Sequence, residues 1–88
     1  MTPKPKFKQK TILDYQDHKP DVERDGFSFW FIHEMQIKKR QFPIFAYHKP
    51  DGGKGFVAYY RGKPFTAAES IDGVSLLVYA LALRKGWS

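Results

Sequence analysis

The sequence predicts an α+β domain in which a three-stranded antiparallel sheet is packed on one face by a C-terminal helix. Three observations lead to this class. The chain has 88 residues, enough for one domain, and 42% of them are hydrophobic. Apolar and polar residues alternate through the middle of the chain, as in half-buried strands. The apolar spacing then becomes helical near the C-terminus. The predicted order is arm, β, β, β, α.

Residues 1–25 are predicted to form a mobile basic arm and a docking segment, followed by the α+β domain over residues 26–88. The opening MTPKPKFKQK alternates lysine with proline and polar residues, a composition that repels itself and offers little to pack. A short apolar cluster at Ile12, Leu13 and Tyr15 is expected to dock as one turn or a short strand. Acidic and turn-forming residues continue from there to Gly26.

Three strands are predicted in the middle of the chain. In the first, Phe27 to Ile37, apolar residues occupy the odd positions except at His33. The second begins at Phe42, after the charged turn KKRQ, and is expected to bulge or lie at an edge because Pro43 cannot donate a ladder hydrogen bond. The turn KPDGGKG then leads into a third strand, Phe56 to Arg61, which pairs back as a hairpin.

A helix is predicted from about Ala67 to Lys85, because apolar residues recur there at helical intervals. Thr66 and Glu69 have capping-box spacing, although Asp72 is an alternative N-cap that would place Gly73 in the first turn. Gly86 suits the left-handed position that ends a helix.

One helix covers only one face of a sheet, so the outer face needs an explanation. Strict alternation puts Phe27, Phe29, Phe31, Phe42, Ile44, Phe56, Ala58 and Tyr60 toward the helix. It puts Trp30, Ile32, Phe45, Tyr47, Val57, Tyr59 and Arg61 outside. An apolar patch of that size indicates an interaction site, or a cover supplied by residues 11–25 or by a second subunit. The sequence leaves these alternatives open.

Charge favours a polyanionic partner for this face. The formal net charge is +6, and the stretch from Gln36 to Lys63 carries seven positive residues and one negative residue. Aromatic rings bordered by cations suit single-stranded nucleic acid, and a basic three-stranded sheet can instead enter a DNA major groove. The β-β-β-α order resembles the small DNA-binding domains at the N-termini of some integrases. We expect a small non-catalytic nucleic-acid-binding protein, of DNA or RNA, that uses Lys38, Lys39, Arg40, Tyr47, Lys49, Lys54, Tyr59, Arg61 and Lys63.

The alternative function is a protein-interaction module, an inhibitor or adaptor, that uses the same aromatic face. QKTILDYQ, from Gln9 to Gln16, resembles the sliding-clamp-interacting peptide of replication proteins. Gln9, Ile12 and Tyr15 match that pattern, and Gln16 stands where a second aromatic residue belongs. The resemblance implies a hydrophobic plug on one helical turn, whereas a simple docking segment is the other interpretation. The expected partner-binding residues are Gln9, Ile12, Tyr15, Trp30 and Phe45.

Other classes find little support in the sequence. There are no cysteines, which excludes a disulfide scaffold and fits a cytoplasmic protein. The longest apolar run, Leu76 to Leu83, is too short to span a bilayer. DGGKG leads into a strand and is predicted to be a hairpin turn, not a phosphate loop. The three histidines are too widely spaced for a metal pair, and no nucleophile stands beside a base, so no metal, cofactor or catalysis is expected.

Overall fold

A computed structural model describes residues 14–87, which fold into one antiparallel sheet and one helix. The strands follow one another across the sheet in chain order. The α+β class and the C-terminal helix are confirmed, but the prediction of a three-stranded sheet is wrong because the sheet has five strands. The elements are a 3₁₀ turn at Tyr15–Asp17, β1 at Val22–Arg24, β2 at Phe27–Ile37, β3 at Arg40–His48, β4 at Lys54–Tyr60, β5 at Lys63–Ala68 and α1 at Ile71–Arg84.

The two strands that the sequence prediction lacked are the edge strands β1 and β5. Each is joined to its neighbour by a two-residue turn ending in glycine, Asp25–Gly26 or Arg61–Gly62, and all four turn residues have positive φ. Such turns match the right-handed twist of paired strands and close tight hairpins. Thr66, expected to cap the helix, instead pairs with Ala58 inside the sheet.

The helix begins later than predicted, and neither the Thr66–Glu69 capping box nor Asp72 starts it. The N-cap is Ser70, whose Oγ accepts a hydrogen bond from the Gly73 backbone N–H at 3.0 Å. The other end matches the prediction. Gly86 has φ of 74°, and the Trp87 N–H donates to the Ala82 carbonyl at 2.8 Å. The Trp87 ring is thereby held against the sheet.

A β-bulge in β2 overturns the predicted alternation in that strand. Phe31 pairs with Phe45, and His33 pairs with Ile44, the neighbour of Phe45 in β3. Ile32 therefore has no partner residue on β3 and is the extra residue of the bulge. As a result Trp30 and Ile32, predicted to face outward, are buried on the helix side of the sheet. The phenylalanines at 27, 29 and 31, predicted to face the helix, point to the other face. The face assignments made for residues 42–47 of β3 and 56–60 of β4 are correct, whereas Arg61, predicted to end the third strand on the outer face, lies in the turn after β4 and stacks over Tyr60 on the helix side.

The core lies between the sheet and α1. Phe42 and Ile44 meet Val74 and Val78, and all four side chains are fully inaccessible. Each burial of this kind contributes about 1.5–3 kcal/mol relative to an exposed side chain. The helix is therefore attached by the stripe that runs through Val74, Val78 and Ala82, and its opposite side faces solvent.

A second cluster ties the segment before β1 to the same side of the sheet. Tyr15 packs with Trp30, Ile32 and Ala46, and the Trp30 indole donates to the His18 carbonyl at 2.8 Å. Residues 14–21 thus pack against the helix side or the edge of the sheet and do not cover the outer face. Residues 1–13 of the predicted arm, including Gln9 and Ile12, lie outside the described residues.

Candidate nucleic-acid interface

The sheet face opposite α1, here called the open face, carries a continuous patch of aromatic rings. The pairing of β2 with β3 places these rings beside each other: Phe31 lies opposite Phe45, and Phe29 lies opposite Tyr47. Directly opposed residues of antiparallel strands share a face, so the rings meet side by side. The open-face rings are Phe27, Phe29, Phe31, Phe45, Tyr47 and Tyr59.

Phe29 lies at the centre of this patch. Its ring centroid lies 6.2 Å from Phe27, 6.4 Å from Tyr47 and 6.3 Å from Tyr59. The Phe29–Tyr59 rings are nearly perpendicular, and Phe45 meets Tyr59 in the same edge-on way at 5.6 Å. Phe45 is buried at 8% exposure, while the other rings keep part of their surface accessible. Packing thus holds these rings in fixed positions relative to one another.

Gly55 creates the space that Tyr47 occupies. These residues are paired across β3 and β4 on the open face. A Cβ at residue 55 would lie 2.9 Å from the Tyr47 Oη and 3.1 Å from the Ala68 carbonyl oxygen. The ring of Tyr47 therefore lies over the Gly55 backbone, a close approach that only glycine permits without displacement.

A shallow cleft of about 380 Å³ crosses the open face, a volume in the usual range for small-ligand sites. Phe29, Phe45 and Tyr59 form part of its wall, and Arg24 supplies a cationic side chain. The cleft extends from the β1 edge to the turn between β4 and β5. Its full lining is Val22, Arg24, Phe29, Pro43, Phe45, Tyr59 and Gly62.

One end of the molecule is strongly basic. The β2–β3 turn, the β4–β5 turn and the C-terminus of α1 meet there, because Trp87 packs against Tyr60 and Phe42 at 5.0 and 6.4 Å. Residues 35–42, 60–65 and 83–87 contain seven Lys or Arg residues and no Asp or Glu. We call this region the basic end; its cations are Lys38, Lys39, Arg40, Arg61, Lys63, Arg84 and Lys85.

Aromatic rings hold several of these cations in place. The Arg40 guanidinium lies 4.5 Å from the centroid of Trp87, and the Lys85 ammonium lies 5.4 Å from the same ring. Arg61 stacks over Tyr60 at 5.5 Å, which places it on the helix side instead of the predicted outer face. The buried Arg40 Nε has no hydrogen-bond partner among the described residues. These contacts hold the cations against uncharged rings, which do not neutralise the positive charge.

The predicted site residues divide into three groups. Tyr47 and Tyr59 lie on the open face, and Lys38, Lys39, Arg40, Arg61 and Lys63 gather at the basic end. Lys49 and Lys54 lie at the opposite end of the sheet, beside the β3–β4 turn. Of the partner-binding predictions, Phe45 lies within the open face, whereas Tyr15 and Trp30 are 5% and 6% exposed inside the second cluster.

Several residues of this site were not predicted from the sequence. Phe27, Phe29 and Phe31 were assigned to the wrong face because the bulge was not recognised. The sequence contained a sign of the bulge. Trp30 and Ile32 alternate, and so do Met35 and Ile37, but Ile32 and Met35 are three positions apart where uninterrupted alternation requires two. Arg84 and Lys85 were expected to be offset by Glu69 and Asp72, but the helix separates those charges to opposite ends.

No helix within residues 14–87 is long and apolar enough to cross a membrane. In the same part of the chain, no group of three or more His, Asp or Glu side chains is arranged to hold a metal ion. Comparison with protein-family models, with curated proteins and with solved structures found no match to this chain.

Proposed function

We propose that the protein binds single-stranded nucleic acid, with bases on the open face and phosphates directed toward the basic end. The observation that carries this proposal is the juxtaposition of a pre-packed aromatic sheet face with the basic end, where residues 35–42, 60–65 and 83–87 of the described chain hold seven cations and no acidic residue. The role is non-catalytic: the groups at this site stack and attract, and no nucleophile–base pair is among them.

Stacking is the first support. A base laid on an aromatic ring contributes about 1–3 kcal/mol, and every base has a flat face, so the contact tolerates any sequence. Tyr47 and Tyr59 line the patch on neighbouring strands. Bases within a duplex are already stacked on each other, so the open face favours an unpaired strand, whose bases are free to spread onto the rings.

Electrostatics is the second support. Lys38, Lys39 and Arg61 all lie in turns and are exposed, so their charged groups are accessible to a phosphate chain. Among the described residues from β2 to β5, the acidic ones are Glu34 in β2 and Asp51 in the turn between β3 and β4. Each phosphate neutralised on a single strand is expected to add about 0.7 to the slope of log affinity against log salt concentration.

A second candidate is suggested by the cleft. Most of its lining is apolar, including Val22, Phe29, Pro43 and Phe45. Such a surface would also accept an apolar side chain from a peptide, as in a protein-interaction module that uses the same face. In that case the basic end would contribute little to the affinity.

A titration with matched charge variants tests the proposal. Fluorescence anisotropy would be measured with labelled single strands of about 12 nucleotides, DNA and RNA, and with a duplex of equal length. Measurements at about 50 and about 200 mM salt report the phosphate contribution. We expect binding to the single strands, weakened by higher salt.

The variants locate the phosphate path. Lys38→Glu with Lys39→Glu changes the charge at the basic end, and Lys49→Glu with Lys54→Glu makes the same change at the opposite end. We expect the first pair to lower both the affinity and the salt slope far more than the second. Equal effects would contradict the proposed path, and no binding to any nucleic acid at low salt would remove the proposal.

A further inference from the structure

Three of the rings that line the cleft on the open face are nearly perpendicular to one another. The planes of Phe29 and Phe45 meet at 87°, and each of them meets the plane of Tyr59 at 80°. Phe45 is buried, whereas Phe29 and Tyr59 are half-buried, so Phe45 lies deepest in the cleft. Three planes at right angles enclose a corner, which we call the niche.

The niche fits a flat aromatic ring better than an aliphatic chain. A planar ligand that lies parallel to one of the three rings turns its edge toward the other two. The edge of an aromatic ring is partly positive and its face is partly negative. One stacked contact and two edge-to-face contacts therefore form together, whereas an alkyl chain gains only apolar contact with the same rings.

Charge on the open face indicates where an anionic group of such a ligand lies. Among the described strand residues, two charged side chains share this face, Arg24 in β1 and Glu34 in β2. Arg24 lines the cleft, while Glu34 lies opposite Pro43 toward the basic end. A guanidinium donates paired hydrogen bonds to a phosphate or carboxylate, and Glu34 repels either group. The anionic group is therefore favoured at the β1 end of the cleft, next to Arg24.

We propose that the cleft binds one nucleotide, with its base in the niche and its phosphate at Arg24. The choice of a nucleotide among aromatic anions rests on the proposed function. A free nucleoside monophosphate and the phosphorylated terminal nucleotide of a strand share this chemistry. A strand that begins at Arg24 leaves the cleft past Gly62, whose neighbour Arg61 belongs to the basic end. The cleft thus fixes where the end of a strand lies on the open face.

A titration of ¹⁵N-labelled protein with adenosine monophosphate tests the site, at ligand concentrations up to about 10 mM. Adenosine lacks the phosphate, inorganic phosphate lacks the base, and hexyl phosphate replaces the base and sugar by an alkyl chain. We expect adenosine monophosphate to bind more tightly than any of the three and to shift the amides of Arg24, Phe29 and Tyr59. Equal binding of hexyl phosphate, or no shift of these amides, would overturn the proposal.

A pair of matched variants tests the position of the phosphate. Arg24→Gln is expected to weaken the binding of adenosine monophosphate by up to about fivefold and to leave the binding of adenosine unchanged. Lys19→Gln removes an exposed cation outside the open face and is expected to change neither affinity. Equal losses in the two variants would contradict a phosphate contact at Arg24.

A second pair tests the niche. Phe29→Leu keeps an apolar side chain but removes the flat ring, so both adenosine monophosphate and adenosine should bind roughly tenfold more weakly. Phe65→Leu makes the same change at a half-buried ring on the helix side and should leave both affinities unchanged. Thermal melts would show that each variant is folded. A folded Phe29→Leu variant with full affinity would overturn the proposal.

Competition with single strands of about 12 nucleotides separates the two sources of the ligand. A strand with a phosphate at its 5′ or 3′ end should displace adenosine monophosphate more effectively than the same strand without it. Equal displacement would contradict the placement of a strand end in the cleft. If adenosine monophosphate binds and no strand displaces it or binds, the site takes a free nucleotide and only the proposed function fails. If strands bind and adenosine monophosphate does not, this inference fails and the proposed function stands.

Discussion

Tyr59 and Tyr60 provide a matched pair that separates binding from folding. They are adjacent in β4 and point to opposite faces of the sheet. The Tyr59 ring lies 6.3 Å from Phe29 and 5.6 Å from Phe45 on the open face. The Tyr60 ring lies 5.0 Å from both Phe42 and Trp87 on the helix side. Replacing each by alanine removes the same side chain from two different environments.

The expected magnitudes follow from these environments. Tyr59→Ala removes one stacking platform, and the loss of about 1–3 kcal/mol lowers the affinity for a single strand by roughly 5- to 150-fold. The stability cost is the loss of two edge-on ring pairs at about 0.5–1.5 kcal/mol each. Tyr60→Ala removes a partly buried ring that packs against the core through Phe42, Phe65 and Trp87, and is expected to cost up to about 3 kcal/mol. At about 4–8 °C per kcal/mol, its melting temperature falls further than that of Tyr59→Ala.

The assay is a thermal melt beside an anisotropy titration for each variant, carried out at a temperature where both are folded. Tyr59→Phe should retain most of the affinity because the ring remains. We expect Tyr59→Ala to lose affinity, while Tyr60→Ala loses mainly stability. If Tyr59→Ala keeps full affinity, the assignment of binding to the open face is refuted. A loss in folded Tyr60→Ala should appear mainly as a lower salt slope, because Arg61 stacks over the Tyr60 ring.

Three further predictions concern the fold and the ring geometry. Ser70→Ala should lower the free energy of unfolding by about 1 kcal/mol in a urea melt, and Thr66→Ala should leave the helix start intact, since Ser70 is the N-cap. Burial raises the pKa of Tyr15, so its folded pKa lies above 10.0. The stabilisation linked to this raised pKa is complete below the unfolded-state pKa and is lost as pH rises through the folded-state pKa. Wild-type stability should therefore fall more steeply than that of Tyr15→Phe in alkaline melts. Gly55→Ala should displace the Tyr47 ring and weaken strand binding, with altered ring shifts in NMR spectra as the check.

The sequence was informative where periodicity was long and unbroken. The C-terminal helix follows from apolar spacing, and Gly86 marks its end through a left-handed conformation. The face assignments of Phe42, Ile44, Phe45 and Tyr47 follow from alternation in β3. The same pattern placed Tyr47 and Tyr59 on the correct side of the sheet, but it also placed Arg61 there, and Arg61 stacks over Tyr60 on the helix side.

The errors have local physical causes. β1 is three residues long and mostly polar, so its membership of the sheet depends on pairing with β2 and not on its own pattern. The predicted helix overlaps the end of β5 because TAAE mimics a capping box, yet pairing with β4 outweighs that weak preference. The bulge at Ile32 is a tertiary adjustment that lets Trp30 and Met35 both reach the interior. The basic end required knowledge of which turns meet in space.

The most direct test of the central claim is an NMR titration of ¹⁵N-labelled protein with an unlabelled single-stranded oligonucleotide. We expect amide shift changes along the open face, centred on Phe29, Tyr47 and Tyr59, and continuing into the two turns of the basic end. Amides of α1 between Val74 and Ala82 should remain near their free positions. Changes confined to α1, or no changes at oligonucleotide concentrations well above that of the protein, would contradict the claim that the open face is the binding surface.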